Sequence, residues 1–185
     1  MGAMTQPIAS DHEITVPPSG RYRIDPEHST VTFTTRHLFG LAPVRGTLDL
    51  REGTISIAEP VTDSDVRARA AAATFQSGNP ARDASVLSRR LLDAGTYPVL
   101  TFTSSALVRE QGQWLLRGEL EVRGATRLVE ARITAVSPDS TGAAFRASAS
   151  ITVDRYDFGI TAYRGLAARR LTAALSVLAV RADRS

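Results

Sequence analysis

The chain has 185 residues, 43% apolar and 22% charged, with 22 basic against 19 acidic residues, as in a single globular domain able to bury a sizeable core. It contains no cysteine, which excludes disulfides, thiolate metal sites and cysteine nucleophiles. Every basic residue is an arginine, which removes Schiff-base and phosphate-loop lysines, and their dispersal among acids argues against a nucleic-acid partner.

Residues 1–19 are polar, proline-containing and aperiodic, ending in "PPSG", and read as a flexible N-terminal arm. "MGAM" ahead of Thr5 has the pattern of a cloning remnant before a second start. The N-terminal residues lack the basic segment, apolar core and cleavage site of a secretory signal, and no run approaches the roughly 18 apolar residues of a membrane span. A cytoplasmic protein without a membrane span is therefore expected.

From Arg21 onward the period is mostly two. In "STVTFTT" Val31, Phe33 and Thr35 share one face. Strands are also expected at 21–25, 43–50 and 53–58, with a turn at Arg51-Glu52-Gly53 between the last two. "DVRARAAAATF" alternates through Val66, Ala68, Ala70 and Ala72. "NPARDASVLSRRLLDAG" breaks the rhythm: Asn79 is an N-cap, Pro80 the first helical residue, and Ala84, Leu87, Leu91 and Ala94 recur at helical spacing before a stop at Gly95. The period of two resumes at 98–108. "QWLLRGELEVRG" then sets Trp114, Leu116, Gly118, Leu120 and Val122 against Arg117, Glu119, Glu121 and Arg123. Strands follow at 127–136, in "AAFRASASITV" with Phe145, Ala147, Ala149 and Ile151 on one face, and at 171–182. Gln111-Gly112, Gly124 and Ser140-Thr141-Gly142 supply the turns. One short helix among strands at hairpin spacing predicts an all-β antiparallel barrel or sandwich.

The inward faces are rich in alanine. An eight-stranded barrel is about the size at which side chains either fill the interior or leave room for one ligand. Trp114, Phe102 and Phe33 are large enough to fill it, so both outcomes stay open at this point. A hollow lumen would suit an apolar chain, each five-carbon branched unit gaining on the order of 3 kcal/mol.

Reactive constellations are absent. His28 and His37 lie nine residues apart, about 30 Å along a straight strand, too far to share a metal. "IDPEHS" reads as a turn in which His28 and Ser29 bond local amides, and His37 sits at a strand end beside Leu38, Phe39 and Gly40. Asp154 and Asp157 in "VDRYDFGI" read as a capping network that holds Arg155 by a carboxylate. The alternative function is an enzyme acting on a lipid or quinone with His37 or Asp154 as base.

The segments "YRIDPEHSTVTFTTRHLFGLAPVRGTLDL", "ARDASVLSRRLLDAGTYPVLTFTSSAL", "LRGELEVRGATRLV" and "DRYDFGI", in that order, resemble the YceI-like family of bacterial polyisoprenoid-binding proteins, from about Tyr22 to Ala182. The shared motifs are Asp25-x-x-His28-Ser29, His37, Gly46, Tyr97-Pro98-x-x-x-Phe102, Gly118-x-Leu120-x-x-x-Gly124 and Asp154-Arg155-x-x-Phe158-Gly159. The resemblance implies an eight-stranded antiparallel lipocalin-like barrel over 20–185 with one or two short helices, commonly a homodimer. It also implies a tunnel for an isoprenoid lipid, such as a polyprenyl phosphate or quinone tail, and neither catalysis nor a cofactor. The expected lining runs through Val31, Phe33, Leu38, Phe39, Leu41, Val66 and Ala68, then Leu87, Leu91, Phe102, Trp114 and Leu116, and finally Phe145, Phe158 and Ile160. Arg155 and His37 are the polar residues expected nearest a head group. Two features depart from the family: no secretion signal is seen, and Phe39 replaces a usual small residue while 62–75 is unusually alanine-rich.

Overall fold

A computed structural model describes residues 14–37 and 42–182, with the backbone alone at residues 36, 37 and 42. Its strands are β1 (Gly20–His37), β2 (Ala42–Leu48), β3 (Leu50–Ile57), β4 (Asp65–Ala71), β5 (Val99–Glu110), β6 (Gln113–Val122), β7 (Ala125–Pro138), β8 (Ala144–Asp154) and β9 (Arg170–Arg181). Each pairs antiparallel with its neighbours, and β9 returns to β1 from Tyr22↔Arg181 to Thr34↔Thr172, closing the sheet. β2 and β3 share one strand position. β2 lies along the second half of β1 and β3 along its first four residues, with a break at Asp49. The fold is thus a closed eight-stranded antiparallel barrel with, among the described residues, one α-helix, α1 (Pro80–Leu87).

The expected turn at Arg51-Glu52-Gly53 is not one. Those residues lie inside β3, where a bulge between Leu50 and Glu52 bends the strand without reversing it. The break falls at Asp49 because another segment satisfies its backbone: its amide donates to Thr74 Oγ1 (2.9 Å) and its carbonyl accepts from Ala71 (3.1 Å). True hairpin turns occur at Gln111-Gly112 and Arg123-Gly124, where both residues have positive φ, as the twist of a two-residue hairpin demands.

β1 is one strand where separate pieces were expected. Its pairing with β9 jumps from Asp25↔Leu178 to Thr30↔Ser176, so the Asp25–Ser29 segment bulges outward. The local-amide expectation for His28 and Ser29 is corrected here. Ser29 is buried and its hydroxyl accepts from the Leu178 amide across the bulge (3.0 Å), replacing a lost ladder bond. His28 is exposed and its Nδ1 pairs with the Asp25 carboxylate (2.9 Å), which also accepts from the amides of Glu27 and His28. That bond holds the Asp25 carboxyl below its ordinary pKa.

Asn79 caps α1 as expected, its Oδ1 accepting from the Arg82 amide. The helix stops at Leu87, well short of Gly95. Ser88 Oγ donates to the Ser85 carbonyl (2.7 Å), and the Leu92 and Ala94 amides turn back to Val86 and Leu87, so the chain doubles over. This tucks Leu91 and Leu92 against Val122, Phe158 and Ile160.

The barrel has two distinct ends. The floor carries the loops 58–64, 111–112 and 139–143, and the mouth carries α1, the 123–124 turn and the 155–169 loop. At the floor Tyr22 is fully buried, with its ring edge-on to Phe145 at 4.9 Å and its hydroxyl donating to the Pro18 carbonyl (2.8 Å). The flexible arm expected over 1–19 is corrected for its last residues. Ile14 bridges to Val136, and Thr15 donates to the Val136 carbonyl (3.0 Å), strapping the arm across the floor.

A hollow apolar lumen as the candidate functional site

Between floor and mouth lies a cavity of about 740 Å³. Inward positions recur at about every second residue along each strand, with the parity flipped at the bulges. On β1 the lining passes from Ile24 to Val31, Phe33 and Thr35; β4 gives Val66, Ala68 and Ala70; β8 gives Phe145, Ala147, Ala149 and Ile151. Phe102 from β5 and Trp114, Leu116, Leu120 and Val122 from β6 continue the wall, with further side chains from β2, β3, β7 and β9.

The large aromatics do not fill this space. Phe33, Phe102 and Trp114, like Val66, Ala68 and Ala149, stay only half-buried although they point inward, because one side of each faces the void. Phe102 packs against Gly118, where a Cβ would come within 2.8 Å of its ring, and Phe75 against Gly46, where a Cβ would come within 2.5 Å. Glycines opposite aromatics press the rings against the wall and leave the axis clear. Phe145 is the exception, buried against Tyr22 at the floor end of the cavity.

Of the residues expected in the lining, Val31, Phe33, Val66, Ala68, Leu91, Phe102, Trp114, Leu116, Phe145, Arg155, Phe158 and Ile160 border the cavity. Leu87 does not; the helix turns Ser85 and Val86 toward the lumen instead. Leu38, Phe39, Leu41 and the side chain of His37 lie outside the described residues. Unforeseen contributors are Ile14, Val16 and Pro17 of the arm, and Arg82, Ser85, Tyr163 and Leu166 at the mouth. The segment "TAYRGLAA" carries no periodicity, so nothing in its pattern signalled a rim.

Arg155 borders the lumen, but its hydrogen-bonding capacity is largely committed to the loop. Its guanidinium donates to the carbonyls of Ile160 (2.7 Å), Ala162 (2.7 Å), Ala168 (2.9 Å) and Ala167 (3.2 Å). Carbonyls, not the expected carboxylate, hold it, and it acts as the internal tie of the 155–169 loop. Burial pulls its pKa down from the ordinary arginine value. Asp154 instead pairs with Arg169 and accepts from the Tyr156 amide (3.0 Å), on the outer groove between β7 and β8. It therefore does not border the lumen, where the enzyme alternative would need a base.

The polar groups that do reach the rim are Arg82, Ser85 and Tyr163. Ser85 Oγ and Tyr163 Oη are 3.0 Å apart, and this bond, aided by Arg90, lowers the Tyr163 pKa from the usual phenol value. Among the described residues no acid and no histidine lines the cavity, and no group of three or more histidines and acids is placed to hold a metal. The site offers shape and apolar contact with a polar rim.

The YceI-like domain model matches residues 22–178. The chain belongs to the YceI-like family. Among curated relatives of this YceI-like protein, a UPF0312 protein of Yersinia enterocolitica is 29% identical over 173 residues, covering 89% of this chain and 88% of the relative. Protein YceI of Salmonella arizonae is 29% identical over 167 residues, 86% of each chain. Among solved structures, BcnA of Burkholderia cenocepacia superposes with a TM-score of 0.75 at 18% identity, over 84% of this chain and 98% of that one. A polyisoprenoid-binding domain from Saccharophagus degradans gives a TM-score of 0.66 at 12% identity, over 89% of this chain and all of that one (100%). At such identities these two likenesses speak to the fold.

Proposed function

We propose that this YceI-like protein binds, carries or stores an amphiphilic isoprenoid lipid, a polyprenyl phosphate or the tail of a quinone, without chemical conversion. The cavity carries this reading: about 740 Å³, walled by aliphatic and aromatic side chains and bordered by Arg82, Ser85 and Tyr163 at one end. Its size falls within the range of about 300–1,000 Å³ typical of ligand sites. Three five-carbon units at roughly 3 kcal/mol each give about 9 kcal/mol, against ordering costs of several kcal/mol, so a longer chain is needed for micromolar binding near −8 kcal/mol. Branched isoprenoid chains match a wall of valine, leucine and isoleucine broken by alanine recesses on β4 and β8. The family and the solved polyisoprenoid-binding domain support the same class of ligand.

The test is organic extraction of the natively purified protein followed by mass spectrometry. A co-purifying prenyl lipid, or saturable binding of an added one, is the expected result. Recovery of no lipid together with no binding of added prenyl compounds would overturn the reading.

A further inference from the structure

The two ends of the barrel differ in charge. The mouth loops, 72–98, 123–124 and 155–169, hold seven arginines and three aspartates. The floor loops, 58–64, 111–112 and 139–143, hold no arginine and three acids, Glu59, Asp63 and Asp139, with Arg21 and Arg181 exposed at the strand ends beside them. Even after setting aside buried Arg155 and Arg169, which pairs with Asp154, the mouth remains cationic. Arg89, Arg90 and Arg164 stand exposed there.

Among the described residues four of the six exposed large apolar side chains lie toward the mouth, and Val16 and Val180 lie at the floor. Tyr97, Tyr163 and Leu166 sit in mouth loops, at 37%, 39% and 55% exposure, and Leu128 follows the 123–124 turn at 79%. Tyr163 and Leu166 also line the cavity, so this patch is continuous with the lumen's opening. Two tyrosines and two leucines at an end that exposes Arg89, Arg90 and Arg164 match what an anionic bilayer binds: cations at the head groups, amphipathic rings at the interface and leucines in the acyl boundary.

We propose that the mouth end docks on an anionic lipid bilayer, face down, with the floor toward solvent. The polarity of the loops orients the barrel in the surface field. The inference deepens the carrier reading and rests on it for its purpose: the lumen opens at the surface from which a lipid would enter. A cationic rim alone would also fit an acidic protein, but Leu128 and Leu166 add an apolar component that favours the bilayer.

Sedimentation with vesicles tests this. The full chain is expected to sediment with vesicles of equal parts phosphatidylcholine and phosphatidylglycerol, not with phosphatidylcholine alone, and to be released near 1 M salt, where the screening length is about 3 Å. Neutralising two exposed arginines, R90Q with R164Q, weakens vesicle affinity about twenty-fivefold, roughly fivefold per charge. Leu166→Ser weakens it further, whereas Val180→Ser at the floor binds as the parent does; circular dichroism melts of each variant confirm folding. Absence of binding, equal binding to both vesicles, or equal loss from Val180→Ser and Leu166→Ser would each overturn the proposal. So would loss of sedimentation on plugging the lumen with A68L and A149L while the arginine variants still bind, since uptake of a lipid would then explain sedimentation. Failure to dock, with free prenyl lipid still bound, leaves the carrier reading standing.

Discussion

Filling the lumen and weighing the consequence separates a hollow barrel from a packed one. Ala68 on β4 faces Phe102 and Gly53 in the strand register, and Ala149 on β8 faces Leu175 and Ile133. Both line the cavity and both remain half-buried. Leucine at each adds three carbons, which at about 0.8 kcal/mol per carbon gives roughly 2.4 kcal/mol per site and about 5 kcal/mol for the pair. Rotamer entropy and partial burial in the unfolded chain reduce this to about 2–3 kcal/mol. For a domain of this size that raises Tm by about 4–12 °C. In a packed interior the same residues would overpack, at about 1–3 kcal/mol per site, and Tm would fall. The six added carbons also take the room of about one isoprenoid unit, so affinity for a prenyl lipid drops by about 100-fold or more. Thermal melting and a binding titration on A68L/A149L read both effects. A lower Tm, or undiminished binding, would refute the reasoning.

Three further expectations concern the frame around the lumen. Arg155→Met orphans four loop carbonyls and should cost about 3–5 kcal/mol, visible as a large Tm loss and early hydrogen exchange across 155–169. Ser29→Ala leaves the Leu178 amide without its acceptor and should cost about 1–3 kcal/mol in urea unfolding with an unchanged m-value. The carboxyls of Asp25, lowered chiefly by its bond to His28, and Asp139, lowered chiefly by Thr141, titrate below their unfolded values. Both therefore stabilise the fold fully above the ordinary carboxylate pKa, and that stabilisation fades as pH falls through the lowered values. NMR titration should place both below an ordinary aspartate, and Asp25→Asn with Asp139→Asn should flatten the acid limb of the stability profile.

Much of the barrel was legible because strand alternation is a local signal. The inward sets of β4, β6 and β8 could be written down from residues 66–70, 114–122 and 145–151 without knowing what they faced, although the alternation read through Ala72 ends at Ala71, where the chain turns. Bulges were not legible. The shifts at Asp25/Thr30 and Leu50/Glu52 depend on what distant strands offer to hydrogen-bond, so Ser29 found Leu178, and Arg51-Glu52-Gly53 ran on as strand. The helix stop failed for a related reason: Ser88 ends it through a side-chain bond that helical periodicity in Leu91 and Ala94 does not reveal. The rim was the least visible part. Tyr163 and Leu166 reach the lumen only because Arg155 gathers the carbonyls of their loop, and a buried arginine held by carbonyls has no signature in spacing.

Trp114 is the chain's single tryptophan and it borders the cavity, so its fluorescence reports directly on whether the lumen takes a ligand. Titration with a prenyl quinone, whose ring accepts excitation energy, should quench Trp114 saturably at one equivalent per chain, and A68L/A149L should shift the curve to higher concentration. Quenching that rises linearly without saturation, identical in both proteins, would contradict a hollow lumen that binds lipid.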